Sequence, residues 1–272
     1  MTQQSFSSTL AILGLLLSFT ACQKDPVQSP LDPQQQYPNP LPTEALISRQ
    51  QYSETDYQTF TYNANGQVTE QRSQWQFVEG DPTQIESITY AYSYDDKNRL
   101  TAVRSSEGGV VKYLYKGEFI SKSQEYATDG TLSKEVTYGY TNNRITQELW
   151  RVANVPGAPA DVYKFVLGYD GQGNLNKVES YQQDANGQFN LLETVEYSNF
   201  DDKINPTSWM LRHPNLPQVR WQFNNPGTEI HRPAGGIDQV TTYTYDYNTQ
   251  DMPFRKHITT PDGQKITVTY RF

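Results

Sequence analysis

The chain is poor in the residues that build disulfide frameworks, metal sites and membrane-spanning helices. Its 272 residues include one cysteine and three histidines. The single cysteine, Cys22, excludes an intramolecular disulfide. The histidines, His213, His231 and His257, form no HxH or HExxH spacing, so we predict neither a metal centre nor a cofactor. The longest apolar run, residues 10–17, is too short to cross a membrane as a helix.

Basic residues are also few, and motifs for phosphate binding or nucleophilic catalysis are missing. There are 22 Lys and Arg against 30 Asp and Glu, giving a net charge of −8, so nucleic acid is not an expected partner. No P-loop, G-x-S-x-G or G-x-G-x-x-G pattern occurs. The acidic pairs Asp95-Asp96 and Asp201-Asp202 fall at predicted turns, where Asp bonds to the local backbone. We therefore predict a protein that is not an enzyme.

The N-terminus has the pattern of an exported, lipid-anchored protein. Residues 10–17 have the length of a signal-peptide core. The tetrapeptide Phe19-Thr20-Ala21-Cys22 resembles the lipobox of bacterial lipoproteins. In that family the signal peptide is cleaved before the cysteine, which is then lipidated. The resemblance implies that residues 1–21 are a signal peptide and that Cys22 anchors the chain in a membrane.

The residues after Cys22 suggest where the anchored domain lies. Gln23-Lys24-Asp25 resembles the tag that follows the lipidated cysteine in surface-exposed lipoproteins of the Bacteroidota, which implies an outward-facing position at the outer membrane. The segment 22–43 is rich in Pro and Gln and predicts an extended spacer. The remaining residues, 44–272, are enough for one β domain.

Strand-like alternation repeats along this domain. Ile88, Tyr90, Tyr92 and Tyr94 alternate with small or polar residues, a period of two that predicts a half-buried strand. Turns of Asn, Asp and Gly follow such strands. The aromatics before these turns are spaced by about 26 residues, as in repeat architectures: Tyr62, Tyr94, Tyr115, Tyr140, Tyr169, Tyr197 or Phe200, Phe223 and Tyr247. An aliphatic residue follows the turn: Val68, Leu100, Ile120, Ile145, Leu175 and Ile230.

The repeat predicts an all-β fold. Turn signals at both ends of each strand pair indicate an antiparallel up-and-down meander of roughly 14 to 18 strands with little helix. An open twisted sheet seldom exceeds about 10 strands. We therefore expect the sheet to curl or to close into a barrel-like structure.

Two stretches carry a family resemblance. YSYDDKNRLTAV (92–103) and LGYDGQGNLNKV (167–178) resemble the YD or RHS repeat, whose hairpins wind into a hollow β shell. With the lipoprotein signal, the chain resembles a Bacteroidota lipoprotein family of unknown function with a porin-like fold. The resemblance covers about residues 57–272 and implies a barrel-like sheet, but it implies no activity.

Aromatic residues make up 13% of the chain and are the only candidates for ligand contacts. Tyr and Trp on an anchored protein can stack on sugar rings, whereas in a barrel they can equally fill the interior. The tryptophans fall outside the positions before the turns and are the candidate stacking residues: Trp75, Trp150, Trp209 and Trp221.

Three functions remain open. The first is a lipid-anchored, non-catalytic binding or structural module of the outer membrane, with a glycan or surface-protein ligand. The second is an outer-membrane β-barrel pore, because the terminal ITVTYRF resembles the last strand of such barrels. The third is an enzyme acting on envelope polymers or glycans, which rests on location alone.

Overall fold

The chain forms a closed antiparallel barrel of 16 strands in a computed structural model that describes residues 45–77, 84–153 and 159–272. Each strand pairs with the next in chain order, and the first pairs with the last. The strands are β1 (Arg49–Gln51), β2 (Tyr57–Tyr62), β3 (Val68–Gln76), β4 (Ile85–Tyr94), β5 (Leu100–Ser105), β6 (Val110–Lys116), β7 (Phe119–Tyr126), β8 (Leu132–Thr141), β9 (Arg144–Val152), β10 (Asp161–Tyr169), β11 (Leu175–Gln183), β12 (Phe189–Ser198), β13 (Thr228–Pro233), β14 (Gln239–Tyr247), β15 (Pro253–Thr259) and β16 (Lys265–Arg271).

The structure confirms the predicted fold class and closes the sheet that the sequence left either curled or closed. Helix in the described residues is limited to short 3₁₀ turns such as Ser208–Met210. The predicted signal peptide, residues 1–21, and the lipidation site with its spacer, residues 22–43, lie outside the described residues.

In the predicted turns that open with Asp or Asn, such as 95–99, that residue holds the turn together. The Asp95 Oδ1 atom accepts hydrogen bonds from the backbone N–H groups of Lys97 and Arg99, at 3.0 and 2.8 Å. Asn98 between them has a φ of 61°, a left-handed conformation that Asn tolerates better than most residues. This local bonding explains why Asp or Asn follows the aromatic residue.

The aromatic residue before the turn links neighbouring hairpins. The Tyr94 hydroxyl donates to the Val68 carbonyl at 2.8 Å, and the Tyr140 hydroxyl donates to the Ile120 carbonyl at 2.9 Å. The same bond is made by Tyr62 to Ile47, Tyr115 to Leu100 and Tyr169 to Ile145. These hydroxyls satisfy backbone carbonyls inside the barrel, so the polar groups of both partners are hydrogen-bonded away from water.

The barrel is apolar inside and polar outside. Val136 and Tyr138 are 1% and 7% exposed, whereas Thr137 between them is exposed. Ion pairs join outward-facing side chains, as in Lys122–Glu135 at 2.8 Å. Tyrosine and aliphatic side chains therefore form an interior core, and the outer wall carries Thr, Ser, Lys, Arg and Glu.

One connection does not follow the hairpin pattern. Residues 199–227, between β12 and β13, fold into the barrel interior, and we call them the plug. Trp209, Leu216 and Trp221 of the plug are buried, with exposures of 3%, 1% and 0%. Amide side chains fix the plug to the wall: Gln218 donates to the Asn98 carbonyl at 2.6 Å, and Gln222 donates to the Leu175 carbonyl at 3.1 Å.

The plug overturns one part of the repeat prediction. Phe223 does not precede a hairpin turn. It lies in the plug, where its backbone N–H donates to the Asn174 side chain of the wall at 2.8 Å. Ile230 does not follow such a turn; it lies on β13 opposite Val240. Tyr197 and Phe200 also do not precede a hairpin turn. Strand β12 ends at Ser198, and the plug follows it.

The two barrel ends differ. At the plugged end, the plug enters beside the turns that follow the tyrosines, such as 95–99. The chain also reaches the barrel there, since the Tyr62 hydroxyl donates to the Ile47 carbonyl at 2.8 Å. The opposite end, called the open end, is formed by the other set of turns: 52–56, 106–109, 127–131, 184–188, 234–238 and 260–264.

Candidate functional site

The open end contains a cavity of about 580 Å³, which we call the cup. Its wall is formed by β2 to β8, and its floor is the plug tip, His213-Pro214-Asn215. The volume lies within the range of small-molecule sites in proteins. The side chains that give the cup its character are aromatic, amide or hydroxyl groups: Tyr90, Tyr92, Tyr113, Gln71, Asn215, Ser73 and Ser105.

Hydrogen bonds hold the inner part of the cup in one arrangement. The Gln71 Oε1 atom accepts from the Tyr92 hydroxyl at 2.9 Å and from the Asn215 amide at 3.3 Å. The Tyr113 hydroxyl donates to the Asn215 carbonyl at 3.3 Å. Gln71 is only 3% exposed, and its Oε1 accepts both bonds, so this side chain is held between the wall and the plug tip.

A charged cluster joins the wall of the cup to its floor. Glu125 Oε2 lies 2.8 Å from Lys134 Nζ and 3.4 Å from His213 Nε2. The hydrogen bond from His213 lowers the pKa of Glu125 to about 2, burial acts in the opposite direction, and Lys134 adds to the lowering. The carboxylate is therefore charged over the whole neutral range and ties the plug tip to the wall.

The Glu125 cluster predicts a defined acid dependence of stability. The pKa of Glu125 in the folded protein, about 2, is below the ordinary glutamate pKa of 4.5, so the stabilisation is complete above pH 4.5 and disappears as the pH falls toward 2. Glu125→Gln should therefore destabilise the protein at pH 7, and the difference from wild type should shrink below pH 4.5, as measured by urea unfolding. Glu107→Gln, which changes a cup residue without an ion pair in the described structure, should leave stability unchanged at both pH values. An equal loss for Glu125→Gln at every pH would contradict the prediction.

A second, deeper ion pair fixes the plug. Arg212 Nη2 lies 2.6 Å from Glu148 Oε2, and the side chains are 11% and 2% exposed. Trp150 Nε1 also donates to Glu148 at 3.1 Å. Because both charges are buried, each depends on the other. The pair is therefore an anchor of the plug and not a free reactive group.

The predicted stacking tryptophans lie in the barrel interior. Trp209 contacts Phe60 and Tyr92 edge-to-face, with ring centroids 5.6 and 6.5 Å apart. Trp209 and Trp221 are buried, so neither offers a ring face to a ligand. For these two residues the stacking prediction is wrong, and they fill the barrel interior instead. Trp75 and Trp150 are half-buried on the inward face, outside the residues that line the cup.

Sequence reasoning missed the polar residues of the cup and the anchor. Gln71, Glu125 and Glu148 occupy inward positions of strands, where alternation otherwise predicts Tyr or aliphatic residues. An amide or acid at such a position is costly unless it has a partner. A polar residue at an inward strand position was therefore the signal in the sequence. Its partner could not be assigned, because the plug residues that bind it are about 64 to 144 positions away along the chain.

The described residues contain no group of three or more His, Cys, Asp or Glu side chains placed to hold a metal ion. Within the same residues, no helix is long and apolar enough to cross a bilayer.

Comparison with known proteins shows the fold. No protein-family model and no curated protein matches the chain. Its structure is similar to that of a porin-like protein from Bacteroides uniformis, with a TM-score of 0.57 and 15% identity over 85% of this chain and 97% of that one. A TcdB2–TccC3 structure and the Photorhabdus luminescens Tc holotoxin pore each match at a TM-score of 0.22, over 12% of their length, which is too low to bear on the fold. The chain therefore has a porin-like barrel fold.

Proposed function

We propose that the protein is a lipid-anchored, non-catalytic binding module of the outer membrane, and that its cup takes a hexose or a short glycan. The observation that carries this proposal is the cup itself, an aromatic-walled cavity of about 580 Å³ with fixed amide groups. Anchoring rests on the lipobox at Cys22, and outward exposure rests on the residues that follow it.

The chemistry of the cup fits a neutral, hydroxyl-rich ligand. Tyr90, which is half-buried in the wall, supplies aromatic surface that can pack on the apolar face of a sugar ring. Gln71 and the hydroxyls of Ser73 and Ser105 supply donors and acceptors at fixed positions. The charged cluster at Glu125 is internally paired, so a ligand need not carry a charge to satisfy it.

The porin-like fold also raises the pore as a second candidate. A transmembrane barrel needs an outward apolar band with a polar interior. This barrel has the opposite arrangement: Thr137, Arg104 and Glu135 are among its outward residues, and Val136 and Tyr138 face inward. The plug also fills part of the interior. These features favour a barrel that stands in water, held at the membrane by its lipid.

Sugar binding to the cup is the test of this function. We expect the full chain with Cys22→Ser, titrated calorimetrically with a panel of hexoses and short oligosaccharides, to bind at least one of them. Tyr90→Ala should weaken that binding about tenfold, because a stacked aromatic contact contributes about 0.5–1.5 kcal/mol. Tyr181→Ala, on the outer wall, is the matched control and should bind as the parent does. Failure of every sugar, or equal losses from both variants, would refute the glycan-binding cup.

A further inference from the structure

Exposed apolar side chains are concentrated at the open end. Among the described residues, 11 large hydrophobic side chains are exposed. Seven of them lie in the open-end turns or within four strand residues of them, and Phe77 and Ile85 lie at the same end, where β3 ends and β4 begins. Leu114 and Phe272 are the exceptions. Ile237 is 86% exposed and Phe77 is 67% exposed, the two largest values in this set. A cluster of this kind on an otherwise polar barrel indicates an interaction surface.

The apolar residues on one half of the open end lie on consecutive turns and strand ends, with Leu191 and Val240 on the outer face of the wall and Tyr52 and Ile266 on its inner face. The turns after β11, β13, β15 and β1 are consecutive around the barrel, because β1 pairs with β16. We call this stretch the rim patch. Its exposed apolar members are Leu191, Leu192, Ile237, Val240, Ile266 and Tyr52.

The open-end turns carry acidic residues, and the strand ends beside the rim patch add the exposed Lys265 and the half-buried Arg232. The described open-end turns contain Glu54, Asp56, Glu107, Asp129, Asp184, Asp238 and Asp262, and no Lys or Arg. Arg232 on the adjacent strand neutralises Asp238 at 2.9 Å, but Glu54 makes no ion pair in the described structure. The turns of the plugged end differ, since Lys97, Arg99 and Lys203 lie among their acids.

We propose that the rim patch docks a protein partner whose contact surface is basic and carries apolar side chains. Apolar burial would supply the affinity, and the acidic turns would select a positive surface and speed its approach. The same acidity disfavours a second copy of this chain and an anionic lipid surface, because like charges repel.

A defined peptide tests this partner chemistry. The probe is a fluorescein-labelled amphipathic peptide of about 16 Leu and Lys residues, and binding to the full chain with Cys22→Ser is followed by fluorescence anisotropy. We expect saturable binding that weakens as NaCl rises, since screening reduces the attraction. Peptides with Glu in place of Lys, or with Ser in place of Leu, should not bind.

Rim variants with matched controls locate the site. Ile237→Ser combined with Leu192→Ser, and separately Glu54→Lys, should each weaken binding at least about fivefold. Leu114→Ser and Asp96→Lys alter an equally exposed Leu and an exposed acid away from the open end, and should change nothing. Equal effects of rim and control variants would overturn the proposal. So would binding to phosphatidylcholine or phosphatidylglycerol vesicles without binding to the Leu/Lys peptide, which would assign the rim patch to a membrane.

Discussion

We expect Arg212→Ala to lower the free energy of unfolding by about 3–5 kcal/mol, because it leaves a buried carboxylate without its partner. Glu148 is 2% exposed and has the Arg212 guanidinium 2.6 Å away. Its remaining bond, from Trp150 Nε1, involves a neutral donor and cannot balance the charge. Urea unfolding of the full chain with Cys22→Ser, followed by tryptophan fluorescence, measures the loss.

Two further variants separate the charge from the contact. Glu148→Gln combined with Arg212→Met removes both charges while keeping side chains of similar length, and should recover most of the stability. Lys122→Ala breaks the outer-wall pair with Glu135 and should cost about 0–1 kcal/mol, because water screens exposed pairs. A loss of similar size for Arg212→Ala and Lys122→Ala would contradict the idea that the plug is anchored by a buried charge pair.

The repeat made the barrel wall predictable because each of its signals acts locally. Asp95 bonds to the backbone two and four residues ahead, so its place in the sequence fixes the turn. The alternation of Tyr90, Tyr92 and Tyr94 fixes which side of β4 faces inward. The sequence predicted that the sheet would either curl or close into a barrel, and it could not decide between them. Closure depends on the pairing of β1 with β16, which joins residues more than 200 positions apart.

The plug was not predictable for the opposite reason. Its sequence contains an aromatic, Phe223, followed by Asn residues and then an aliphatic, which resembles another repeat unit. What distinguishes it is long-range bonding: Asn174 accepts the backbone N–H groups of Phe223 and Asn224, at 2.8 and 2.9 Å. No local pattern encodes an acceptor about 50 residues away, so the repeat rule was extended across a segment that it does not describe.

The cup could be anticipated only in part. Aromatic abundance indicated that a ligand surface was available, but it pointed to the tryptophans, and Trp209 and Trp221 pack inside the plug and wall. The tyrosines that line the cup follow the same pattern as those that build the core. Whether such a tyrosine meets a neighbour or a cavity depends on how deeply the plug tip reaches, which is a property of the packed fold.

The prediction with the largest expected effect concerns Cys22. In a host that processes lipoproteins, the wild-type chain should incorporate an alkyne-tagged palmitate and sediment with membranes. Cys22→Ser should abolish the label and move the protein into the soluble fraction, because each buried CH₂ of an acyl chain contributes about 0.8 kcal/mol of membrane affinity. Gln23→Ser, a change at the next residue that keeps the cysteine, should be labelled and sediment like wild type.

The same variant decides between the anchored module and the pore. The outer wall is polar where a lipid-embedded barrel needs an apolar band, as Lys122, Glu135 and Thr137 illustrate. A barrel held only by its lipid must therefore leave the membrane when Cys22 is removed. If unlabelled Cys22→Ser protein remained in the membrane fraction and dissolved only in detergent, the barrel itself would be the membrane-embedded part, and ion conductance in planar bilayers would become the property to measure.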